Sequence, residues 1–354
     1  MTAPASQEPT EAPFRIVDLF AGPGGLDMAA RYLRVPVVTG VEWDKDACET
    51  RKAAGLPTAS GDVRDFEPAE FPTANVLAGG PPCQTYTVAG AGAGRRALDE
   101  VVNLAKLMAK GEDVSSLIKN LDDERTGLVL EPLRWALAAL KAGRPYEAIV
   151  LEQVPAVLPV WEVVRDVLQA KGYSVADPKV LHTEQFGVPQ TRRRAILVAR
   201  WKGTAVMPWP THQGYRKGVA PDKSHPYLES WVSMGEVLKR PKPFEVVSNY
   251  GTGGDPKARG RRTSDVPAAT VTGKIDRNRV LGPGDGESRF EDFEAGQLQS
   301  FPANYPWSGN RIPQQIGNAV PPRLGIHVLA AALGLGDEAR DRAIADLEAD
   351  AITA

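Results

Sequence analysis

The chain has few of the residues that characterise secreted or membrane proteins. Its 354 residues include two cysteines, Cys48 and Cys83, too few for a disulfide framework and typical of a reducing compartment. No run of about 18 apolar residues occurs, so no transmembrane helix is predicted. Residues 1–13 lack a basic start and an apolar core, which predicts a disordered tail rather than a signal peptide. We therefore expect a cytoplasmic protein without a membrane partner.

The chain also lacks a strong overall charge, but its charge is unevenly distributed. The net charge of −2 at pH 7 gives no indication of a nucleic-acid partner. Residues 200–279, however, contain 15 Lys and Arg against 7 Asp and Glu, an excess of 8 positive charges. A basic segment on an acidic body is a candidate polyanion surface, although a solvated surface would have the same composition.

Short apolar segments alternate with amphipathic ones through the first 200 residues. The segments "RIVDLF", "VPVVTGVE", "ANVLAGG" and "EAIVLEQV" predict buried strands, and the stretches between them predict helices. Strands that alternate with helices form a parallel sheet covered on both faces. We therefore expect a doubly wound, Rossmann-like α/β domain. After residue 200 the sequence is rich in Pro, Gly and basic residues, which predicts a second, smaller domain.

A glycine turn follows the first predicted strand. In "DLFAGPGG", Gly22, Gly24 and Gly25 lie where the strand gives way to a helix, so a ligand can approach both the backbone and the helix N-terminus. A purely structural turn or a site for NAD would have the same glycines. The turn by itself is therefore a weak indication of a nucleotide site.

Three further residues strengthen that indication. Glu42 ends the second strand, where a carboxylate can accept both hydroxyls of an adenosine ribose, and Trp43 offers a face for adenine. Asp62, in "SGDV", would reach the adenine amino group. Trp43 could instead belong to the core and Asp62 to a turn, but together the residues favour a cofactor that contains adenosine.

A reactive thiol is indicated by "LAGGPPCQTYTVAG". Cys83 lies just past a strand end, behind two prolines that fix φ and orient the loop. The carboxyl edge of such a sheet is where these folds bind ligands. Glu152, in "AIVLEQVPAV", ends another strand and should lie on the same edge, although a structural carboxylate is the common alternative.

The segment "QTRRR" offers cationic neighbours for this edge. In a strand, Arg192 and Arg194 would share one face and Arg193 would point the other way. Two aligned guanidinium groups suit an anionic or carbonyl-bearing target, and a cation favours the thiolate form of a cysteine. A basic edge strand is the structural alternative.

These segments resemble those of DNA cytosine C5-methyltransferases. The resemblance runs from about Phe14 to Leu335 and rests on "DLFAGPGG", "GGPPCQ", "LEQV", "FGVPQTRRR", "LQSFP" and "QQIGNAVPP", in that order. It implies S-adenosylmethionine as the cofactor and no metal. The implied cofactor contacts are Phe20, Gly22, Gly24, Gly25, Glu42, Trp43, Asp62, Val63, Pro82, Leu128 and Asn318.

The resemblance also implies a mechanism. Cys83 would add to C6 of a flipped-out cytosine, Glu152 would hydrogen-bond N3 and the exocyclic amine, and Arg192 and Arg194 would complete the catalytic set. Duplex DNA would be the partner, which adds association with the nucleoid, and a cognate restriction endonuclease would act separately from a monomeric methyltransferase. The same chemistry on RNA and a DNA-binding module that has lost catalysis are the alternatives. An NAD enzyme would explain neither "PPCQ" nor the arginines.

Two departures from the family pattern concern the same region. Gln153 stands where the family usually has Asn, one methylene shorter, and residues 97–122 form a helical-looking insertion.

The resemblance completes the predicted division of the chain. We expect a disordered tail at 1–13, a catalytic cofactor-binding domain at 14–200, a target-recognition domain at 201–285, a C-terminal segment packed on the catalytic domain at 286–335, and an acidic tail or surface helix at 336–354.

Overall fold

The chain alternates strands and helices up to residue 200. The computed structural model describes residues 13–82, 93–121, 124–249, 259–283 and 286–352, so the predicted nucleophile Cys83 lies outside the described residues. The strands are β1 (Ile16–Leu19), β2 (Val37–Glu42), β3 (Thr58–Ser60), β4 (Val76–Gly79), β5 (Ala148–Gln153), β6 (Ser174–Val175), β7 (Lys179–His182), β8 (Gln190–Thr191), β9 (Arg193–Arg200), β10 (Glu245–Val247), β11 (Arg261–Thr263), β12 (Ala268–Ala269), β13 (Arg279–Leu281) and β14 (Glu287–Ser288). The helices are α1 (Gly25–Tyr32), α2 (Lys45–Ala53), α3 (Ala93–Ala109), α4 (Ser115–Lys119), α5 (Glu131–Lys141), α6 (Leu158–Ala170), α7 (Met234–Val237), α8 (Asp292–Leu298), α9 (Ile312–Asn318), α10 (Pro322–Leu333) and α11 (Gly336–Ile352).

The main sheet has the strand order β3-β2-β1-β4-β5-β9-β6, and β7 also pairs with β9. Strands β1 to β5 pair in parallel, whereas β9 runs antiparallel to β5. The order reverses at β1, so the carboxyl ends of β1, β2, β4 and β5 meet at one edge. The predicted doubly wound α/β fold is confirmed.

Helices cover both faces of the sheet because the strands bury both of their faces. In β1, Ile16 packs into one apolar cluster while Val17 and Leu19 pack into another, as the alternation of strand side chains requires. The first cluster takes in α1, α10 and α11. The second takes in α3, α5 and α6.

The insertion at 97–122 contributes to this second layer. Helix α3 buries Val101, Leu104 and Ala105 in the second cluster, together with Trp161 of α6. The insertion thus enlarges the layer of helices that covers the sheet.

The basic segment contains a small antiparallel sheet of strands β11-β10-β13-β14. Its apolar cluster includes Phe244 and Val271, and also Leu298 of α8 and Ile316 of α9. A parallel pair, β12 with β8, joins this sheet to the main domain. Helix α11 packs Ala343 and Leu347 into the first cluster of the main domain. Among the described residues, no helix is both long and apolar enough to cross a bilayer.

A buried ion pair supports the turn between β1 and α1. Arg51 of α2 donates two hydrogen bonds to the carboxylate of Asp27 in α1, at 2.8 and 2.7 Å, and both side chains are fully buried. The same guanidinium donates to Thr58 Oγ1 and the Pro57 carbonyl at the start of β3. The pair therefore ties α1, α2 and β3 together.

Removing one member of this pair should be costly because it leaves the other charge buried without a partner. We expect Asp27→Ala to lower the free energy of unfolding by about 3–5 kcal/mol. Asp177→Ala, which removes an almost fully exposed partner of Arg165, should change it by less than about 1 kcal/mol. Denaturant titration of both variants checks the difference, and equal losses would contradict it.

Candidate active site

Two of the three predicted glycines meet different steric requirements. Gly22 has φ +55° and open space where a Cβ would project, so a ligand can lie against its backbone. A Cβ on Gly25 would lie 2.0 Å from the carbonyl oxygen of Val320, so this glycine lets the turn approach the segment after α9. Phe20 also has a positive φ, 58°, a strained conformation that non-glycine residues adopt mainly at functional sites.

Glu42 organises the backbone of the cofactor turn. Its Oε2 accepts the Gly22 N–H at 2.7 Å, and its Oε1 accepts the N–H groups of Trp43 and Asp44 at 2.9 and 2.7 Å. Burial raises the pKa of the carboxyl, and the three N–H donors lower it. A carboxylate offers about four acceptor positions, so one position beside Gly22 is left for a ligand hydroxyl.

Trp43 follows Glu42 in the chain, and Asp62 follows Gly61, whose backbone N–H donates to the Glu42 carbonyl. Trp43 is 67% exposed, so it is not a core residue and its ring is available for stacking. Both carboxylate oxygens of Asp62 accept hydrogen bonds from the Arg64 side chain, which holds the pKa of Asp62 below its usual value. Asp62 therefore acts as a turn residue, the alternative considered for it. An adenine amino group would have to share its carboxylate with Arg64.

A narrow cleft of about 30 Å³ continues from the glycine turn toward β5. Its volume is too small for a nucleotide, so a cofactor would lie along its rim, over Gly22. Four of the predicted cofactor contacts meet Glu152 here. The lining residues are Asp18, Phe20, Ala21, Gly22, Gly25, Leu26, Gly80, Glu152, Asn318, Ala319 and Val320. Val63 is buried nearby in the second cluster, Leu128 packs against that cluster, and half-buried Pro82 ends the described chain before Cys83.

Glu152 is buried at the end of β5, with 6% of its surface exposed. Arg194 Nε lies 2.6 Å from its Oε1. The geometry is that of an ion pair and not of a directed hydrogen bond, because Oε1 has no hydrogen-bond partner within the described residues. Such an acceptor is satisfied when a ligand supplies a directed N–H.

Gln153 fixes the chain that leads to Cys83. Its Nε2 donates to the Pro81 carbonyl, and its Oε1 accepts the Val154 N–H. Both ends of the amide are therefore used within the turn and the strand end. Gln153, which replaces the usual Asn, reaches the proline turn with its longer side chain.

Arg192 and Arg194 have different partners. The Arg192 guanidinium is buried and donates to the carbonyls of Val271, Gly317 and Ala319, at 2.9, 2.9 and 3.2 Å. Arg193, expected to point away, lines the same large cleft as Arg194. The aligned pair predicted from strand alternation is therefore not formed, because the strand is interrupted at Arg192, between β8 and β9.

Two buried glutamines extend the contacts of Arg192. Gln190 Nε2 donates to the Leu298 carbonyl and to Gln299 Oε1, at 2.8 and 2.6 Å, while Gln190 Oε1 accepts the Val271 N–H. Gln299 Nε2 donates to the carbonyls of Ile316 and Ala319. These contacts join four segments where the main sheet meets the basic segment.

A second, larger cleft of about 710 Å³ lies between the main domain and the basic segment. Arg194 belongs to this cleft and also to the ion pair with Glu152, so it connects the two clefts. The lining residues are Pro155, His182, Glu184, Thr191, Arg193, Arg194, Tyr215, Arg216, Lys217, Arg262 and Thr270. Its wall is strongly basic.

Sequence reasoning did not identify several of these residues. Asp18 lines the narrow cleft, its Oδ1 has no partner within the described ranges, and burial raises its pKa well above the usual value. An acid inside the apolar strand "IVDLF" was a usable signal. The segment "YRK" at 215–217, with two basic residues between two glycines, was another. The positions of His182 and Glu184 had no local signal.

The strand order, the glycine turn on β1 and the acid at the end of β2 are those of an α/β fold that binds a nucleotide-containing cofactor at the carboxyl edge of its sheet. Solved structures of this fold include the Entamoeba histolytica methyltransferase EhMeth, with a TM-score of 0.61 at 14% identity over 92% of this chain and 100% of that one. The S. pombe Dnmt2 methyltransferase gives a TM-score of 0.60 at 16% identity over 91% and 98%. At these identities the likeness concerns the fold.

Sequence comparison then gives the family. The profile of the C-5 cytosine-specific DNA methylases matches residues 14–108 and 118–243, more than half of the chain, and the chain belongs to this family. It is 25% identical to the type II methyltransferase M.HpaII of Haemophilus parainfluenzae over 90% of this chain and 88% of that protein. It is 29% identical to M.HaeII of Haemophilus aegyptius over 52% of this chain and half of that protein's length. The predicted family, enzyme class and S-adenosylmethionine cofactor are thereby confirmed.

Gly22 and Gly55 provide a matched test of the cofactor position. Both have a positive φ, +55° and +63°, and open space around the missing Cβ, so alanine strains both backbones similarly, by about 1–2 kcal/mol. Gly22→Ala should also obstruct the ligand and weaken S-adenosylmethionine binding at least about tenfold. Gly55→Ala should bind it normally. Calorimetric titration measures both, and equal affinities would remove Gly22 from the cofactor site.

Proposed function

We propose that this protein transfers the methyl group of S-adenosylmethionine to C5 of a flipped-out cytosine in a specific duplex DNA sequence. The observation that supports this best is the Glu152–Arg194 pair, which lies where the cofactor cleft meets the large basic cleft. The placement gives one acid access to a base that enters from the basic side and to a cofactor on the glycine turn.

The residues around the cofactor turn fit S-adenosylmethionine. Gly22 leaves a space that a Cβ would fill, Glu42 retains an acceptor position, and Trp43 exposes its ring. When bound, the cofactor supplies an electrophilic methyl group. Asn318, at the end of α9, lines the cleft opposite the turn.

The catalytic roles follow from the low reactivity of cytosine at C5. C5 is a weak nucleophile, so Cys83 adds to C6 and makes the ring an enamine. Glu152 accepts the N–H of the exocyclic amine on Oε1, which has no directed donor among the described residues. Since N3 has no hydrogen of its own, Glu152 shares a proton with N3 as negative charge builds on the ring. Arg194 keeps Glu152 oriented and places a positive charge beside the base. Loss of the C5 proton, with water as the base, then expels Cys83.

DNA is the substrate that suits the basic cleft. Arg193, Arg194, Arg216, Lys217 and Arg262 provide cationic groups for phosphates, and a cytosine must leave the stack before C6 can be attacked. RNA with an unpaired cytosine would present the same base. Radiolabel transfer to duplex DNA and to RNA of matching sequence distinguishes the two. M.HpaII is named a type II methyltransferase, and a separately acting restriction endonuclease is the corresponding partner for this chain.

A substrate with fluorine at C5 tests the covalent step. If Cys83 adds to C6, the modified base should accept the methyl group and then stall, because no proton remains at C5 to be removed. The enzyme should stay joined to the DNA in denaturing electrophoresis, and only when S-adenosylmethionine is present.

Cysteine variants supply the control for this experiment. Cys83→Ala should give no adduct, whereas Cys48→Ala should give the normal amount because that thiol hydrogen-bonds within the α2 region, to the Glu42 carbonyl and Ser60. An adduct in Cys83→Ala would overturn the assignment of the nucleophile.

The two arginines should separate stability from catalysis. Arg194→Gln should lower methyl transfer on the order of a hundredfold, the loss expected for a positioned charged group, in a protein that stays folded because the new amide can still donate a hydrogen bond to Glu152. Arg192→Gln should instead lower the free energy of unfolding by about 2 kcal/mol or more, since it leaves buried carbonyls without donors. Single-turnover rates and denaturant titration of both variants check this, and a purely catalytic loss in Arg192→Gln would contradict it.

A further inference from the structure

One wall of the large cleft contains a histidine held by a buried acid. His182 ends β7, and its side chain is 37% exposed. Its Nδ1 lies 3.6 Å from Oε1 of Glu184, whose side chain is only 5% exposed. Both residues line the cleft. The acid is therefore shielded from solvent, while the imidazole is the part of the pair that a ligand can reach.

The groups around this imidazole are otherwise cationic. Arg193 lies directly across from His182 in the β7–β9 pairing, and Arg194 follows it on the same strand. Arg216 and Lys217 approach from the basic segment, with Tyr215 beside them, and Arg262 lies on β11. Five cations therefore face the ring, and Glu184 is the acid beside it.

The buried carboxyl of Glu184 can interact with a cation. Its Oε2 is buried and has no hydrogen-bond partner among the described residues. Burial raises the pKa of its carboxyl, while His182 and Arg193 lower it. A protonated imidazole would place a positive charge 3.6 Å from this buried carboxylate.

The other histidines of the chain are unsuited to a similar role. The chain has four. Burial lowers the pKa of His212 and lowers that of His327 to about 3. His225 accepts the backbone N–H groups of Tyr227 and Leu228 on its Nδ1, and it is not among the residues of the cleft.

We propose that His182, oriented by Glu184, contacts a DNA phosphate and takes up a proton when DNA enters the cleft. The inference rests on the proposed function, since it requires DNA in the basic cleft. A phosphate offsets the repulsion from the five surrounding cations, so the proton affinity of the imidazole rises on binding. His182 then forms a charge-assisted hydrogen bond with the phosphate.

DNA binding should therefore be tighter at low pH. A group whose pKa is higher in the complex makes binding tighter at low pH, and this gain is lost as pH rises through the pKa of the complex. A rise of one pKa unit on binding corresponds to up to about tenfold tighter binding at low pH. The protonated state should also steepen the salt dependence of binding by about 0.9 in log–log slope, the value of one phosphate contact.

The experiment measures the affinity of the full chain for a short duplex of random sequence, without S-adenosylmethionine, at about pH 6 and about pH 8, values on either side of an ordinary histidine pKa. Wild-type protein should bind several-fold more tightly at the lower pH. His182→Gln should bind equally at both values, with the affinity of wild type at the higher pH. His182→Lys should be equally insensitive to pH but bind with the affinity of wild type at the lower pH.

Two further variants test the role of Glu184 and the specificity of the effect. Glu184→Gln should need a lower pH to reach tight binding, because the ring loses its counter-charge. His225→Gln should keep the wild-type dependence. A wild-type pH dependence in His182→Gln, or DNA binding by wild type that does not vary with pH, would overturn the inference and leave the proposed function intact. Absence of DNA binding at both pH values would overturn both.

Discussion

The junction between the main sheet and the basic segment depends on one buried guanidinium and two buried amides. Arg192, Gln190 and Gln299 form hydrogen bonds with backbone carbonyl and N–H groups of four chain segments. Strands β8 and β12 pair two of these segments over two residues each. Buried backbone groups without partners would cost about 1–3 kcal/mol each. The side chains therefore supply the hydrogen bonds that a sheet or helix would otherwise provide. They also position the Gly317–Ala319 carbonyls beside the cofactor cleft.

Two segments that leave this junction line the two clefts. The Ala319–Val320 segment reaches Gly25, where only a glycine allows the approach, and this contact closes the cofactor side. Arg194, two residues beyond Arg192, turns to Glu152 and the large cleft. In this short segment, Arg192 thus stabilises the fold, and Arg194 contacts the acid that is proposed to bind the base.

Acids at this edge differ in how they are satisfied, and the difference indicates their roles. Glu42 accepts three backbone N–H groups and keeps one position for a hydroxyl. Glu152 faces a cation but lacks a directed donor, and Glu184 faces an imidazole across 3.6 Å. Backbone donors make a rigid binding group, whereas an incomplete set of donors leaves an acid ready for a substrate or for a proton.

The sequence by itself determined the elements whose cause is local. Short apolar segments predicted β1, β2, β4 and β5, and the glycines marked the turn. Glu42 and Glu152 were recognisable because each ends a buried strand. The tertiary structure decided what depends on distant partners. Arg192 is buried because Gly317, 125 residues further along, offers its carbonyl, and Arg193 reaches the cleft because the strand is interrupted next to it. His182 and Glu184 became a pair facing five cations because folding brings β7, β9, β11 and the 215–217 loop together, and no spacing within one segment records that arrangement.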